Sequence, residues 1–238
     1  LFGDDFPTPS ADYIIVMSDK DKKKLKKYIK KSKILSLGQP ALLKTISDVA
    51  QRKSSQIKKE IGLNNNTKVI TFATSPYVEY DMNYKIIKHK KINPYNEEII
   101  EILKKFISLD YKIVLKTHPV SDLSSNYKKF VDNKNIFLID NNKHDIRDVL
   151  CISDCLISFN STTLLEAVLC GKSAVSFNYK EENIYNVSAY KEKPFFHAPS
   201  LDFLYENIKS SLKINNGYDE DFYTPNFHSN FDNLIKKF

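Results

Sequence analysis

Three short polar motifs follow apolar runs in this chain, and each contains side chains that bind phosphate or move protons. In an open α/β sheet, ligands bind at the carboxyl ends of the strands, so residues that directly follow strand-like runs are the first candidates for a site. The motifs are Thr74-Ser75, which follows residues 68–73; Thr117-His118-Pro119, which follows residues 111–116; and Asn160-Ser161-Thr162-Thr163, which follows residues 155–159.

The motif that begins at Asn160 opens a predicted helix, and it carries the strongest signal. With Asn160 as the N-cap, the amides of Ser161, Thr162 and Thr163 have no partner within the helix, and they coincide with the positive end of the helix dipole. This arrangement predicts an anion site for a monophosphate or diphosphate. Glu166 shares a helix face with Thr162 and Thr163, where it could accept hydrogen bonds from both ribose hydroxyls. The alternative is a capped helix with a solvated Glu166.

His118 is predicted to lie at a strand tip, because Pro119 ends the strand and restricts His118 to an extended conformation. An imidazole there could donate to a phosphate or to a leaving oxygen, although a histidine without a catalytic role would satisfy the same pattern. The hydroxyls of Thr74 and Ser75 could approach a phosphate or a ribose, or they could form a simple turn.

The other histidines give weaker signals. His144 precedes a predicted helix, where it could belong to a base-recognition loop or simply flank Asp145 as the N-cap. The remaining three are predicted to be surface residues: His89, His197 and His228.

Alternating strand-like and helix-like segments must position these motifs. Continuous apolar strands alternating with amphipathic helices are typical of a parallel sheet covered on both faces, so the predicted class is α/β with a Rossmann-like sheet flanked by helices. Strands are predicted at 13–17, 33–37, 68–73, 111–116, 135–139, 155–159 and 173–177. Helices are predicted at 19–31 with a capping box at its start, 96–109 capped by Asn96, 145–152, 161–170 ending at Gly171, and 201–212, with a final helix at 230–238.

The polar stretch between the second and third strands predicts a boundary. Residues 1–45 would be the last elements of a preceding Rossmann domain, and residues 46–67 a linker. Residues 68–212 would form the nucleotide-binding domain, and residues 213–238 a tail with a helix.

Composition excludes several classes of protein. No apolar run approaches the length of a membrane span, and the start lacks the basic and apolar regions of a signal peptide. The three cysteines show no ligand or disulfide spacing, so buried thiols in a reducing cytoplasm are expected, with no metal and no cofactor.

The net charge of +7 is concentrated, because nine lysines and one acid, Asp21, lie between Lys20 and Lys33. With no RNA- or DNA-binding motif, a nucleic-acid partner is not expected. This basic segment is either a solvated helix face or a peripheral contact with anionic lipid at the inner face of the cell membrane.

The order ADYIIVMSDKDKKKL, SLGQP, KVITFATSP, LKTHP and ISDCLISFNSTTLLEAVLCGKSAVSF resembles the C-terminal half of bacterial GT-B enzymes of surface-polysaccharide assembly. The nearest in pattern are capsule glycosyltransferases of the Kdo and sialyltransferase type, with HP and S-S/T motifs. CDP-glycerol glycerophosphotransferases and non-hydrolysing UDP-GlcNAc 2-epimerases share the scaffold. One departure is Ser173 after Lys172, where these enzymes often have proline.

The resemblance implies a function and roles for residues. It implies a metal-independent glycosyltransferase half that binds a CMP- or UDP-linked sugar and transfers it to a glycan or lipid-linked glycan acceptor. His118 would contact the nucleotide phosphate as the catalytic residue, Ser161 and Thr162 would hold the same phosphate, and Glu166 would bind the ribose. The alternatives are a glycerophosphotransferase, an epimerase-like enzyme and a nucleotide-binding module without catalysis.

Overall fold

The computed structural model describes residues 12–29, 32–75, 77–80, 86–90, 93–119, 124–159, 161–177, 191, 193–214 and 227–236. The strands are β1 Tyr13–Val16, β2 Lys33–Ser36, β3 Lys68–Ala73, β4 Tyr77–Tyr80, β5 Ile86–Lys90, β6 Tyr111–Lys116, β7 Ile136–Leu138, β8 Cys155–Ser158, β9 Ser173–Phe177 and β10 Phe196–Ala198. The α-helices are α1 Asp19–Leu25, α2 Pro40–Gln51, α3 Ser54–Glu60, α4 Asn96–Lys104, α5 Ile146–Ile152, α6 Thr162–Leu169, α7 Leu201–Ser211 and α8 Phe227–Ile235, and 3-10 helices span Lys105–Leu109 and Ser124–Phe130.

The chain divides into two units. The smaller comprises residues 1–47 and 217–238, and its described strands β1 and β2 pair in parallel. The larger comprises residues 48–216. Residues 46–67, expected to be a linker, contain the end of α2 and all of α3, and α3 packs against α5 within the larger unit. The segment therefore contributes to a packed domain rather than only spacing two domains apart.

The larger unit is built on a six-stranded parallel sheet with the order β10-β9-β8-β3-β6-β7. The chain runs outward from β3 through β6 to β7, and then returns to the other side of β3 with β8, β9 and β10. The direction of winding thus reverses at the β3–β8 pair. Ligands in doubly wound sheets bind in the crevice outside the carboxyl ends of the strands at such a reversal.

Central strands are apolar along their whole length because helices cover both faces of the sheet. Every residue of β8 is buried, and Val69, Ile70 and Phe72 of β3 are fully buried. On one face, α4 and α7 pack over the sheet through Ile99, Leu103, Leu204 and Ile208. This confirms the predicted fold class, a Rossmann-like parallel sheet flanked by helices.

Strand bounds that follow from buried β-branched runs were predicted well, and those of β3, β6 and β9 agree to the residue. The β4–β5 hairpin and the edge strand β10 were not predicted. β10 has only three residues, and two of them are half-buried, so its sequence lacks the continuous apolar pattern of the central strands.

Helix ends needed more correction. Helix α1 begins as predicted, since Ser18 Oγ accepts from the amide of Asp21 at 3.1 Å, but it ends at Leu25. Asn96 is not the cap of α4 but its first helical residue. It is fully buried, and its side-chain Nδ2 donates to the Tyr127 hydroxyl at 2.5 Å. The last helix lies at Phe227–Ile235 rather than at 230–238.

The prediction that Gly171 ends α6 is confirmed. Its φ is +72°, in the left-handed region that only glycine adopts without strain. The amide of Gly171 bonds to the Val168 carbonyl and that of Lys172 to the Ala167 carbonyl, both at 2.9 Å. This Schellman pair of bonds turns the chain directly into β9.

Candidate functional site

The three predicted motifs follow three adjacent strands. Ala73 of β3 is in register with Lys116 of β6 on one side and with Ser158 of β8 on the other. The segments after these residues therefore emerge side by side at the point where the sheet reverses its winding. Neighbouring strands lie about 4.8 Å apart, so the tips of β6 and β8 flank that of β3 at a separation of roughly 10 Å.

The tips of β3 and β6 are hydrogen-bonded to each other. The amide of Thr74 donates to the Lys116 carbonyl at 2.9 Å, and the amide of His118 donates to Thr74 Oγ1 at 3.3 Å. Thr74 is buried, whereas Ser75 and His118 are half-buried and Pro119 is exposed. The hydroxyl of Thr74 thus fixes the backbone of His118, while the imidazole lies where the strand meets solvent.

The tip of β8 leads into α6, and its cap differs from the predicted one. Asn160 lies outside the described residues, and the N-cap of α6 is Ser161. Its hydroxyl oxygen accepts from the amide of Thr163 at 3.3 Å and from the Thr163 hydroxyl at 2.9 Å. Moving the cap by one residue makes Thr162 the first helical residue, and Thr162 is exposed.

Glu166 lies one turn into α6 and is half-buried. Leu164, Ala167 and Val168 are fully buried on the face that packs against the sheet. Glu166 is separated from this face, as the spacing predicted, and its neighbour four residues on is Cys170. Burial, followed by the charge of Glu166, raises the pKa of the Cys170 thiol to about 11.

The three cysteines carry free thiols, with Cys155 buried and the other two half-buried. Burial raises the pKa of Cys155 to about 12, so this thiol is protonated at neutral pH. Within the described parts of the chain, no group of three or more His, Cys, Asp or Glu side chains is arranged to hold a metal ion.

Sequence reasoning missed Lys116 and Asn141, which form a hydrogen-bonded cluster with Thr117 beside His118. Lys116 Nζ donates to Asn141 Oδ1, and Asn141 Nδ2 donates to Thr117 Oγ1 at 2.9 Å. Lys116 is only 7% exposed, and burial lowers its pKa although the carboxylate of Asp145 opposes the shift. A lysine ending an apolar strand run was a usable signal, but nothing in the sequence separates Asn141 from Asn142.

The structure also shows the contacts of His144 and of the helix cap that follows it. Asp145 is the N-cap of α5 and forms a capping box with Asp148, which confirms the capping interpretation. His144 is buried, with Nδ1 3.5 Å from Asp148 Oδ2 and Nε2 3.9 Å from Glu60 Oε2.

The surface assignment of His197 was wrong. This histidine lies on β10, where it is half-buried and its Nδ1 is 2.8 Å from Ser176 Oγ. The backbones of His89 and His228 lie in β5 and α8.

Basic residues of α1 and the turn after it lie at the surface of the smaller unit. Leu25 and Ile29 are buried, while Lys26 and Lys27 are exposed and Tyr28 is 61% exposed. Among the residues that the structure describes, no helix combines the length and the apolar character that crossing a membrane requires.

Residues 6–170 match the family model described as CDP-Glycerol:Poly(glycerophosphate) glycerophosphotransferase. The matched segment includes the tips of β3, β6 and β8 together with α6. No curated protein matches the sequence.

Similar solved structures include the UDP-GlcNAc 2-epimerase of Methanocaldococcus jannaschii in complex with UDP-GlcNAc and UDP, with a TM-score of 0.62 at 14% identity. The wall teichoic acid polymerase TagF gives 0.55 at 19% identity, and a glycosyltransferase of Rickettsia africae gives 0.50 at 17%. The alignments cover 96%, 95% and 95% of this chain, but only 62%, 57% and 59% of those chains. At these identities the likeness establishes the fold, and this chain spans about three-fifths of the length of each.

Proposed function

Because the chain belongs to the CDP-glycerol:poly(glycerophosphate) glycerophosphotransferase family, we propose that it is the donor-binding part of a transferase that moves glycerol phosphate from CDP-glycerol to a polymer acceptor. The observation that carries the proposal is the alignment of the β3, β6 and β8 tips at the reversal of the sheet. A diphosphate placed there would lie between His118 and the start of α6.

In the proposed reaction, a hydroxyl of the acceptor attacks the phosphorus that carries glycerol. A new phosphorus–oxygen bond forms, the bond from that phosphorus to the bridging oxygen breaks, and CMP leaves with the bridging oxygen. The acceptor proton passes to a base, which we do not assign to the described residues. Negative charge grows on the leaving CMP, so groups that stabilise it accelerate the step.

The residues of this chain would act on the leaving nucleotide. The start of α6 supplies the positive end of a helix dipole, and Ser161 and Thr162 supply hydroxyl donors beside it. The imidazole of His118 would donate to the nucleotide phosphate from the β6 side of β3. Thr74 and Ser75 follow β3 and would lie between His118 and the start of α6, and Pro119 ends the strand after His118. Thr163 and Glu166 lie further along α6, where Glu166 would accept from the ribose hydroxyls. We propose that these groups stabilise the leaving nucleotide without a metal ion.

Transfer of a sugar from a CMP- or UDP-linked donor to a glycan or lipid-linked glycan remains the second candidate, because a phosphate-binding crevice does not select the group that the nucleotide carries. Family membership favours glycerol phosphate as that group. On either alternative, the GT-B architecture would close the crevice with a second Rossmann domain.

A nucleotide panel tests the site. We expect CDP to raise the melting temperature of the purified chain more than UDP, ADP or GDP at equal concentration, since a ligand at 100 times its Kd stabilises the fold by about 2.7 kcal/mol. His118→Ala and Ser161→Ala should each weaken CDP binding in calorimetric titration by about tenfold, because a hydrogen bond to a charged group contributes about 1.5–3 kcal/mol.

Ser200→Ala is the matched control. Ser200 is the N-cap of α7, its side chain makes no capping hydrogen bond, and it follows β10 at the edge of the sheet, three strands from β3. An equal loss of CDP affinity in this variant, or no response to any nucleotide, would overturn the site assignment. Release of CMP from CDP-glycerol by the full-length protein, together with growth of the acceptor, separates a transferase from a binding module.

The basic segment from Lys20 to Lys33 is proposed as a peripheral contact with anionic lipid at the cytoplasmic membrane face, where each lysine near the surface contributes about 1 kcal/mol. Co-sedimentation with phosphatidylcholine vesicles, with and without phosphatidylglycerol, tests this contact. Binding that does not depend on the anionic lipid would remove the idea, and Lys26→Glu combined with Lys27→Glu should weaken the dependence.

A further inference from the structure

The strand tip that carries His118 is held from both sides. On the β3 side, the bonds of Thr74 fix its backbone, as described above. On the β7 side, the partner is the loop between β7 and α5, which contributes Asn141. Thr117, between the two, is fully buried, so its polar groups depend on hydrogen bonds within the protein.

Asn141 makes three hydrogen bonds to two consecutive residues of the tip. Its Nδ2 donates to the Thr117 carbonyl at 3.2 Å and to Thr117 Oγ1 at 2.9 Å, and its Oδ1 accepts from Lys116 Nζ. The side chain is itself exposed, so these bonds are not the by-product of burial. They place an amide across the last peptide unit before His118.

The orientation of this amide is determined by its partners. An ammonium group has only donors, so Lys116 can bond only to the amide oxygen, and a carbonyl has only lone pairs, so Thr117 can bond only to the amide nitrogen. Lys116 is buried, and the described contact of its ammonium is Asn141 Oδ1. The lysine thereby turns the NH₂ group toward Thr117.

The loop that carries Asn141 is anchored at both ends. At its start, the amide of Ile139 bonds to the Leu115 carbonyl of β6 at 2.9 Å. At its end, Asp145 caps α5 and pairs with Arg52 at 3.0 Å. Between them, the amide of His144 bonds to the Asp140 carbonyl at 3.0 Å. Asn141 therefore acts from a fixed support.

We propose that Asn141, oriented by Lys116, is a positioning residue that sets the placement of His118 for the nucleotide phosphate. The inference rests on the proposed function, because it assigns to Asn141 an effect that passes through His118 rather than a contact with the ligand.

A double-mutant cycle with CDP tests this on the purified chain. Asn141→Asp keeps the acceptor for Lys116 but removes both donors to Thr117, and it should weaken CDP binding by about tenfold, as should Asn141→Ala. In the His118→Ala background, either change should cost no further affinity, because a residue that acts through another has nothing left to position. Asn142→Asp is the matched control: it adds the same charge one residue along the loop, and its affinity should equal that of the wild type.

The outcomes are distinct. If His118→Ala leaves CDP affinity unchanged, the proposed function of this site fails. If His118→Ala weakens binding but Asn141→Ala does not, only the positioning role fails. Additive losses in the double variant would show that Asn141 contacts the ligand directly, and this would also overturn the proposal. Melting temperatures of all variants identify any loss caused by unfolding, and Thr117→Val, which removes one acceptor of Asn141 while keeping the shape, then serves as the second variant.

Discussion

Helices α5 and α6 begin at the same edge of the same sheet, but their amino ends are satisfied by opposite chemistry. At α5, the carboxylate of Asp145 accepts from the backbone amides of Arg147 and Asp148 at 2.8 and 3.1 Å, and the backbone amide of Asp145 donates to the Asp148 carboxylate at 3.2 Å. At α6, the N-cap is the neutral Ser161, and the first turn has no acidic residue.

The surroundings deepen the contrast. Arg52 pairs with both carboxylates of the α5 capping box, and Arg147 pairs with Asp48 at 3.3 Å. The positive dipole end of α5 is therefore compensated by the protein's own anions, and those anions by its own cations. The dipole end of α6 is equivalent to roughly half a positive charge. Among the described residues of its cap and first turn, it has hydroxyl groups and no carboxylate. The start of α5 is therefore neutralised within the protein, whereas on the proposed function the start of α6 would receive its anion from the nucleotide.

The largest effect should come from making α6 resemble α5. Ser161→Asp keeps a good N-cap and places a negative charge on the helix dipole, so the melting temperature should stay equal or rise. The same charge should repel a nucleotide phosphate and weaken CDP binding by about tenfold to a hundredfold, or about 1.4–2.7 kcal/mol. Calorimetric titration beside thermal unfolding checks both halves. A variant that binds CDP normally would show that this helix start is not an anion site.

Removing the cap of α5 should act mainly on the free energy of unfolding. Asp145→Ala removes the α5 cap and leaves Arg52 with one partner fewer, so it should lower the free energy of unfolding by about 1–2 kcal/mol. CDP affinity should fall by less than about threefold, because Asp145 is not assigned to the nucleotide and is only one of several anchors of the loop that carries Asn141. Urea unfolding measures the first quantity and titration the second. A large loss of affinity without a loss of stability would place α5, not α6, at the ligand.

Each of these helices has a further acid, Asp148 in α5 and Glu166 in α6, and only Asp148 takes part in capping its helix. Asp148 is at the third helical position and completes a capping box, whereas Glu166 is at the fifth position, beyond the reach of that motif. Glu166→Gln should therefore leave stability unchanged while weakening CDP binding by about threefold to tenfold, at a cost of about 1 kcal/mol. Comparison with 2′-deoxy-CDP sharpens the assignment: the deoxy nucleotide should lose less affinity in the variant than CDP does.

The smallest expected effect is a pH dependence of stability to which the start of α5 contributes and the start of α6 does not. Burial alone would raise the pKa of Asp145, but the Asp148 amide and the charge of Arg52 outweigh it and hold this pKa below its ordinary value. A lowered folded-state pKa gives stability that is fully present above the unfolded pKa, about 3.9, and that is lost as the pH falls through the folded value. Asp145→Asn should flatten the slope of stability against pH below about pH 4, by a fraction of a kcal/mol because the carboxylate is half-exposed. Ser161→Asn should leave that slope unchanged.

The sequence predicted the central strands and the motifs that follow them, because these depend on local chemistry. A strand buried on both faces needs a continuous apolar run, and such a run can be read from the sequence. The motifs that follow these runs, Thr-His-Pro after β6 and Ser-Thr-Thr at the start of α6, can be read in the same way. The same locality explains why Gly171 could be placed at the end of α6. Edge elements were harder, because β10 gains its pairing from β9 rather than from its own pattern.

For the candidate site, the sequence by itself determined which residue types lie at the strand ends and that one helix begins with hydroxyls in place of acids. Only the tertiary structure decided that β3, β6 and β8 are neighbours, that the cap is Ser161, and that Asn141 rather than Asn142 braces the tip that carries His118. The reason is physical: a capping or turn preference acts over a few bonds along the chain. The bond from Asn141 to Thr117, by contrast, joins residues 24 apart, which only the pairing of β6 with β7 brings together.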